Sequence, residues 1–222
     1  MLKHIPNALT LTRLILAPVI AWLLWTAMDL PRRNKPVMTP EIMHDIATCM
    51  LIAAALFVVA ALTDLFDGMI ARAFNAQSKL GRIIDPIADK ALVGLPLIAF
   101  SISLPDNAFP PASIIASATT VIVIRDVLMT AIRLTSPDGE GARVSSLAKW
   151  KTALELLVVG SMLVLLTIGA HLLLPAEIEH PGFHAQPSFV NAIVWIWIAL
   201  LVITAALSAY TGWQYLKPAT KN

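Results

Sequence analysis

Residues 64 to 90 of this 222-residue chain read DLFDGMIARAFNAQSKLGRIIDPIADK. They hold Asp64, Asp67, Asp85 and Asp89 beside Arg72, Lys79, Arg82 and Lys90. Spacings of three and four put each aspartate pair on one face of a helix, one turn apart. Four carboxylates converging near hydrocarbon need a counter-charge, because a lone ionised group in low dielectric costs several kcal/mol. A divalent cation supplies it, and oxygen-only donors suit Mg²⁺, Mn²⁺ or Ca²⁺ rather than zinc. Mg²⁺ usually combines a few carboxylates with substrate phosphates, which points to a phosphorylated substrate. Two such ions would clamp the oxygens of a phosphoryl transfer. A single aspartate at a span end is ordinarily a solvated cap, and Asp85 before Pro86 would simply start a helix. Four in matched pairs, with Gly68 and Gly81 among them, ask for more than caps. Glycine costs roughly 1 kcal/mol against alanine inside a helix, so Gly68 implies a close approach to the backbone.

The elements that must position these groups are membrane helices. The chain is 58% hydrophobic and 14% charged, with a mean hydropathy of +0.77, too few charges to cover a soluble surface. Apolar runs long enough to cross a bilayer predict an all-α, polytopic integral membrane protein forming one domain over residues 1–222. Six spans are expected, roughly 9–28, 44–68, 84–104, 111–134, 152–174 and 189–214, separated by proline, glycine and asparagine turn signals. The first apolar stretch runs into Asp29, Pro31 and Arg32, unlike a cleavable leader. Cys49 is the single cysteine, so an internal disulfide is excluded. Most lysines and arginines fall at one side of the spans, Arg32, Arg33 and Lys35 being the exceptions. The positive-inside rule then makes that side, with both termini and the aspartates, cytoplasmic. The short connection between spans two and three predicts antiparallel neighbours whose carboxylate faces meet.

The pattern D-x2-D-G-x2-A-R-x8-G-x3-D-x3-D falls on Asp64, Asp67, Gly68, Ala71, Arg72, Gly81, Asp85 and Asp89. It resembles the signature of the CDP-alcohol phosphotransferases, integral membrane enzymes of phospholipid synthesis whose six-span fold also agrees with this layout. The resemblance implies displacement of CMP from a CDP-linked lipid by an acceptor alcohol. It implies that Asp64, Asp67 and Asp85 hold two divalent ions, Mg²⁺ or Mn²⁺. Asp89 would complete that site and act as general base. Gly68, Ala71, Arg72 and Gly81 would receive the CDP-lipid. Homodimers are common in the family, which implies the same here, in a cell (inner) membrane among its lipids. Nucleic acid is not expected as a partner.

The opening I-P-N-x-L-T-x-x-R run, on Ile5, Pro6, Asn7, Leu9, Thr10 and Arg13, resembles the branch of the family that uses CDP-diacylglycerol and glycerol 3-phosphate. IRDVLMTAIR, LAKWKTALE and the closing SAYTGWQYLK resemble that branch too. They suggest Arg125, Arg133, Lys149 and Lys151 as cations for the acceptor phosphate. Asp126 where that branch has glutamate, and Ala148 where it has glycine, are departures shared in part with relatives whose acceptor is phosphatidylglycerol. An arginine as deep as Arg125 needs compensation, about 2.5 kcal/mol or more on insertion scales, and Asp126 is the adjacent partner. A divalent-cation transporter would also use membrane aspartates, but it gives no role to Gly68, Arg72 or Gly81. Trp22, Trp25, Trp195, Trp197 and Trp213 read as interfacial anchors, His171 and Cys49 as packing. His180 and His184 lack a tight metal-ligand spacing.

Overall fold

The computed structural model describes the backbone of residues 5–33, 39–74, 81–105, 111–135, 146–179 and 188–216. Side chains are described over most of these stretches, but not for 5–7, 65–74, 81–83, 133, 146–149, 173–179, 188 or 216. Six helices account for the described chain: α1 (Ile5–Arg33), α2 (Pro40–Phe74), α3 (Gly81–Ser103), α4 (Ala112–Thr135), α5 (Ser146–Glu179) and α6 (Ser188–Leu216). All six contain a stretch long and apolar enough to cross a membrane, and the protein is a multi-pass, all-α membrane protein. Helices are the expected answer, since a chain in hydrocarbon must satisfy its own backbone hydrogen bonds. The elements match the spans read from the sequence, with longer ends in α1, α2, α5 and α6. The 35 residues of α2 and the 34 of α5 outrun the roughly 20 residues that cross hydrocarbon.

The helices pack as a closed ring in the order α1, α2, α5, α6, α4, α3 and back to α1. This order refines one expectation. Among the described residues α2 and α3 touch little and α1 packs extensively against both, yet the Asp64 and Asp89 carboxylates of the two helices do meet, on one nitrogen of Arg13. A short connection makes two helices antiparallel but leaves open which helix lies beside them. Here the acidic faces of α2 and α3 would repel, whereas α1 brings a cation to both.

Each inward stripe follows helical spacing and changes character along its length. In α1 it runs Thr10, Arg13, Ala17, Ile20, Leu24 and Ala27, all buried. α5 repeats the pattern with Lys151, Glu155, Val158 and Met162, and α6 with Leu201, Thr204, Ser208 and Thr211. The apolar parts meet in one core that includes Phe57, Leu97, Ile122 and Leu163. Outward faces carry exposed Ile15, Val58, Ile102 and Ile196, as lipid contact requires. Trp197 departs from the anchor reading. It is buried, donates its indole N–H to the Val158 carbonyl at 3.1 Å, and meets Phe100 edge-on with centroids 5.8 Å apart. A buried indole needs such an acceptor, and α5 provides it. At the opposite end of the bundle, Arg32 donates to the Ser103 carbonyl at 2.6 Å and so caps the C-terminus of α3.

Candidate active site

The charged ends of these stripes meet at one end of the bundle, where α1, α3 and α5 begin and α2, α4 and α6 finish. Two clusters form there, and adjacent residues of α3, Asp89 and Lys90, belong one to each.

The first cluster is acidic. Asp64 near the end of the apolar part of α2, and Asp85 and Asp89 on the first turns of α3, are each held by α1. The Arg13 guanidinium donates from one nitrogen, Nη1, to both Asp64 and Asp89. One turn earlier, the Thr10 hydroxyl donates to Asp85. Arg13 is only 2% exposed, while Asp64 and Asp89 keep 40% and 39% of their side-chain surface open. The arrangement is therefore a buried cation beneath a carboxylate rim that a ligand can reach. Three of the four predicted aspartates are thus brought together. The side chains of Asp67, Gly68, Ala71, Arg72 and Gly81 lie outside the described residues, although their backbone is helical.

The donor set suits a hard divalent cation, being carboxylate oxygen throughout. Among the described residues, no group of three or more His, Cys, Asp or Glu side chains is gathered closely enough to hold a metal as it stands. The oxygens of Asp64 and Asp89 are instead gathered around Arg13. Asp64, Asp85 and Asp89 are the groups that fit a divalent ion by chemistry, with Asp67 one turn along α2.

The second cluster is mixed in charge and more deeply buried. Asp126 on α4 meets Lys90 of α3 at 2.9 Å and Arg125 of its own helix at 2.9 Å, and it also accepts from Lys151 of α5. Glu155, one turn beyond Lys151, meets it at 2.6 Å and Lys90 at 3.5 Å. Glu155 is fully buried and Lys151 is 1% exposed, so both charges depend on the ion pairs around them. Three cations face two carboxylates, leaving one positive charge in surplus among the described residues. Arg125 reaches the third element, donating to the Thr211 hydroxyl on α6 at 3.1 Å. Its stem crosses α6 at Gly212, where a Cβ would stand 2.9 Å from Arg125 Cγ. Glycine at 212 is therefore a notch for the arginine.

Of the four cations suggested for an acceptor phosphate, Arg125 lies at this cluster, 16% exposed, and Lys151 is enclosed between two carboxylates. The side chains of Arg133 and Lys149 are outside the described residues. So are those of Lys79, His180 and His184.

A family model for CDP-alcohol phosphatidyltransferases matches residues 3–205. The chain belongs to the CDP-alcohol phosphatidyltransferase family. A protein of Cereibacter sphaeroides is 30% identical over an alignment of 244 residues, covering 97% of this chain and 95% of its own length. One from Rickettsia bellii is 31% identical, covering 99% and 97%, and one from Bacillus subtilis is 29% identical, covering 96% and 93%. All three carry the name CDP-diacylglycerol–glycerol-3-phosphate 3-phosphatidyltransferase. The stretch from Asp64 to Asp89 lies inside the matched region. Sequence reading left three groups of this family member without a role: Arg13 with Thr10, Lys90, and Glu155. The signal for them was positional. Arg13 continues the buried α1 stripe, and Glu155 is one turn from Lys151 on the buried stripe of α5.

Proposed function

We propose that the protein transfers the phosphatidyl group of CDP-diacylglycerol to glycerol 3-phosphate, releasing CMP, as the relatives' name describes. The observation that carries this reading is the meeting of a carboxylate rim with a cationic cluster at one end of the bundle, joined at Asp89 and Lys90. A nucleotide lipid and a small dianion need those two environments side by side. Asp64, Asp67, Asp85 and Asp89 would hold two divalent ions, Mg²⁺ or Mn²⁺, which supply neutralisation of the pyrophosphate and of the leaving phosphate. Gly68 and Gly81 would let the nucleotide lie against α2 and α3, Ala71 would be small enough to permit it, and Arg72 would supply a cation for its phosphates. Arg125, Arg133 and Lys149 receive the acceptor phosphate. Lys151 contributes charge to that side while holding Asp126 and Glu155 in place.

In the reaction, the acceptor hydroxyl oxygen forms a bond to the lipid-side phosphorus while the bond from that phosphorus to the CMP oxygen breaks. Asp89 takes the hydroxyl proton, a role that fits its open carboxylate surface beside the cationic cluster. Arg125 and its neighbours orient the acceptor so that attack is effectively intramolecular. The charge distribution supports a cytoplasmic site with both termini on that side, reached by a soluble acceptor and by lipid from the adjoining leaflet. A homodimeric assembly of this single membrane domain completes the proposal.

The test is CMP release by purified protein with CDP-diacylglycerol and Mg²⁺, offering glycerol 3-phosphate or phosphatidylglycerol separately. Release with glycerol 3-phosphate alone, lost in Asp89→Asn, is the expected result. Release with phosphatidylglycerol alone would reassign the acceptor, and full turnover by Asp89→Asn would remove that residue from the base role.

A further inference from the structure

We propose that Arg13 is a built-in counter-ion of the carboxylate cluster. It gathers Asp64 and Asp89 in the absence of a divalent cation and competes with that cation for the same oxygens, so it sets how tightly the ion binds. The inference rests on the reading of this cluster as a divalent-cation site.

The ring order is the first ground. Among the described residues α2 and α3 touch little, so direct helix packing does little to bring Asp64 and Asp89 together. A guanidinium from α1 spans the gap instead, one nitrogen serving both carboxylates. The second ground is burial. At 2% exposure, and on a membrane-spanning helix, the Arg13 charge has to be compensated by the carboxylates it touches. The third is anchorage. Thr10 holds Asp85 from the same helix, and the stripe that continues through Ala17, Ile20 and Leu24 is wholly packed. Arg13 therefore cannot leave the site. Its guanidinium can only shift within it.

A positive ion seated between Asp64 and Asp89 would face the guanidinium at close range. Both ions seek the same two oxygens, so each weakens the other's hold. The price of keeping the acidic rim intact without metal is a lowered affinity for metal. A residue with a purely structural role would affect metal-free and metal-bound protein alike. A competing counter-ion affects them in opposite directions, and that contrast is measurable without any turnover.

The experiment is Mn²⁺ binding to the full chain in detergent, without lipid substrate, followed by the loss of the free-ion electron paramagnetic resonance signal. Thermal unfolding with and without Mn²⁺ accompanies it. Removing a like charge a few ångströms from a divalent ion leads us to expect Arg13→Gln to bind Mn²⁺ at least about tenfold more tightly than wild type. Its metal-free Tm should fall, and its Mn²⁺-induced rise in Tm should exceed that of wild type. Arg13→Lys keeps the charge without the guanidinium fork, and its Kd should lie between the two. Should Arg13→Gln be recoverable only when purified with Mn²⁺, that dependence supports the proposal, and Arg13→Lys then supplies the affinity comparison. Equal or weaker Mn²⁺ binding in the substituted proteins would overturn it. Absence of Mn²⁺ binding in the wild type would overturn the cation-site reading itself, a separate failure.

Discussion

Replacing Lys151 with methionine isolates the energetics of the buried ion-pair network. Methionine is close to lysine's length, so the main change is loss of an ammonium that is 1% exposed. Asp126 would keep Lys90 and Arg125, each at 2.9 Å. Among the described residues Glu155 would keep only Lys90, at 3.5 Å, while remaining fully buried. The cost therefore concentrates on one carboxylate. Removing one partner of a buried pair typically costs roughly 3–5 kcal/mol, and the surviving Lys90 contact argues for the lower end, about 3 kcal/mol. For a domain of this size that corresponds to a fall in Tm of roughly 6–12 °C. Glu155→Leu should also destabilise, because Lys151 then loses its contact at 2.6 Å. The double variant Lys151→Met/Glu155→Leu removes one charge of each sign and leaves two apolar groups in contact one helical turn apart. It should be more stable than Lys151→Met alone, with a coupling of about 2 kcal/mol between the two sites. Thermal unfolding of all four proteins in one detergent measures that coupling. Additive effects, with the double variant falling by the sum of the singles, would refute the claim that these two charges compensate each other.

Gly212→Ala should push the Arg125 stem aside, since the new methyl would stand 2.9 Å from Cγ. Loss of a hydrogen bond from a charged donor, about 1.5 kcal/mol, adds to the cost of moving a stem met at Cγ, and alanine's helix preference of about 1 kcal/mol offsets only part of it, so Tm should fall by a few degrees. The KM for glycerol 3-phosphate should also rise by about fivefold or more, as displacement of a cation from its ligand predicts. Unchanged steady-state kinetics would detach Arg125 from the acceptor. Chelation of divalent ions should abolish CMP release and excess Mg²⁺ or Mn²⁺ should restore it, whereas turnover in excess chelator would remove the metal from the mechanism. Trp197→Phe keeps the ring against Phe100 but loses the bond to Val158, and should lower stability by about 1 kcal/mol without altering KM.

The membrane class, the six spans and the aspartate motif were all legible in the order of residues. Hydrocarbon imposes a local rule, a continuous apolar helix of about 20 residues, and a local rule can be read from a local window. The motif was legible for a similar reason, because aspartates three and four apart share a helix face wherever that helix lies. What those aspartates face is a different kind of fact. The sequence reading had the carboxylate faces of α2 and α3 meet, and in the structure Asp64 and Asp89 meet on a guanidinium supplied by α1, which packs against both helices. Arg13 is 51 residues from Asp64 and 76 from Asp89, so nothing in the local pattern joins them. Lys151 looked like a free cation for an anionic substrate until Glu155 and Asp126 were seen to enclose it. Trp197 looked like its neighbours at the interface until α5 offered a carbonyl. Sequence determined which groups are present, and on which face of which helix. Only the ring order of the helices decided which charges meet, because pairing energy falls with distance and desolvation rises with burial, and both are set by neighbours far away in the chain.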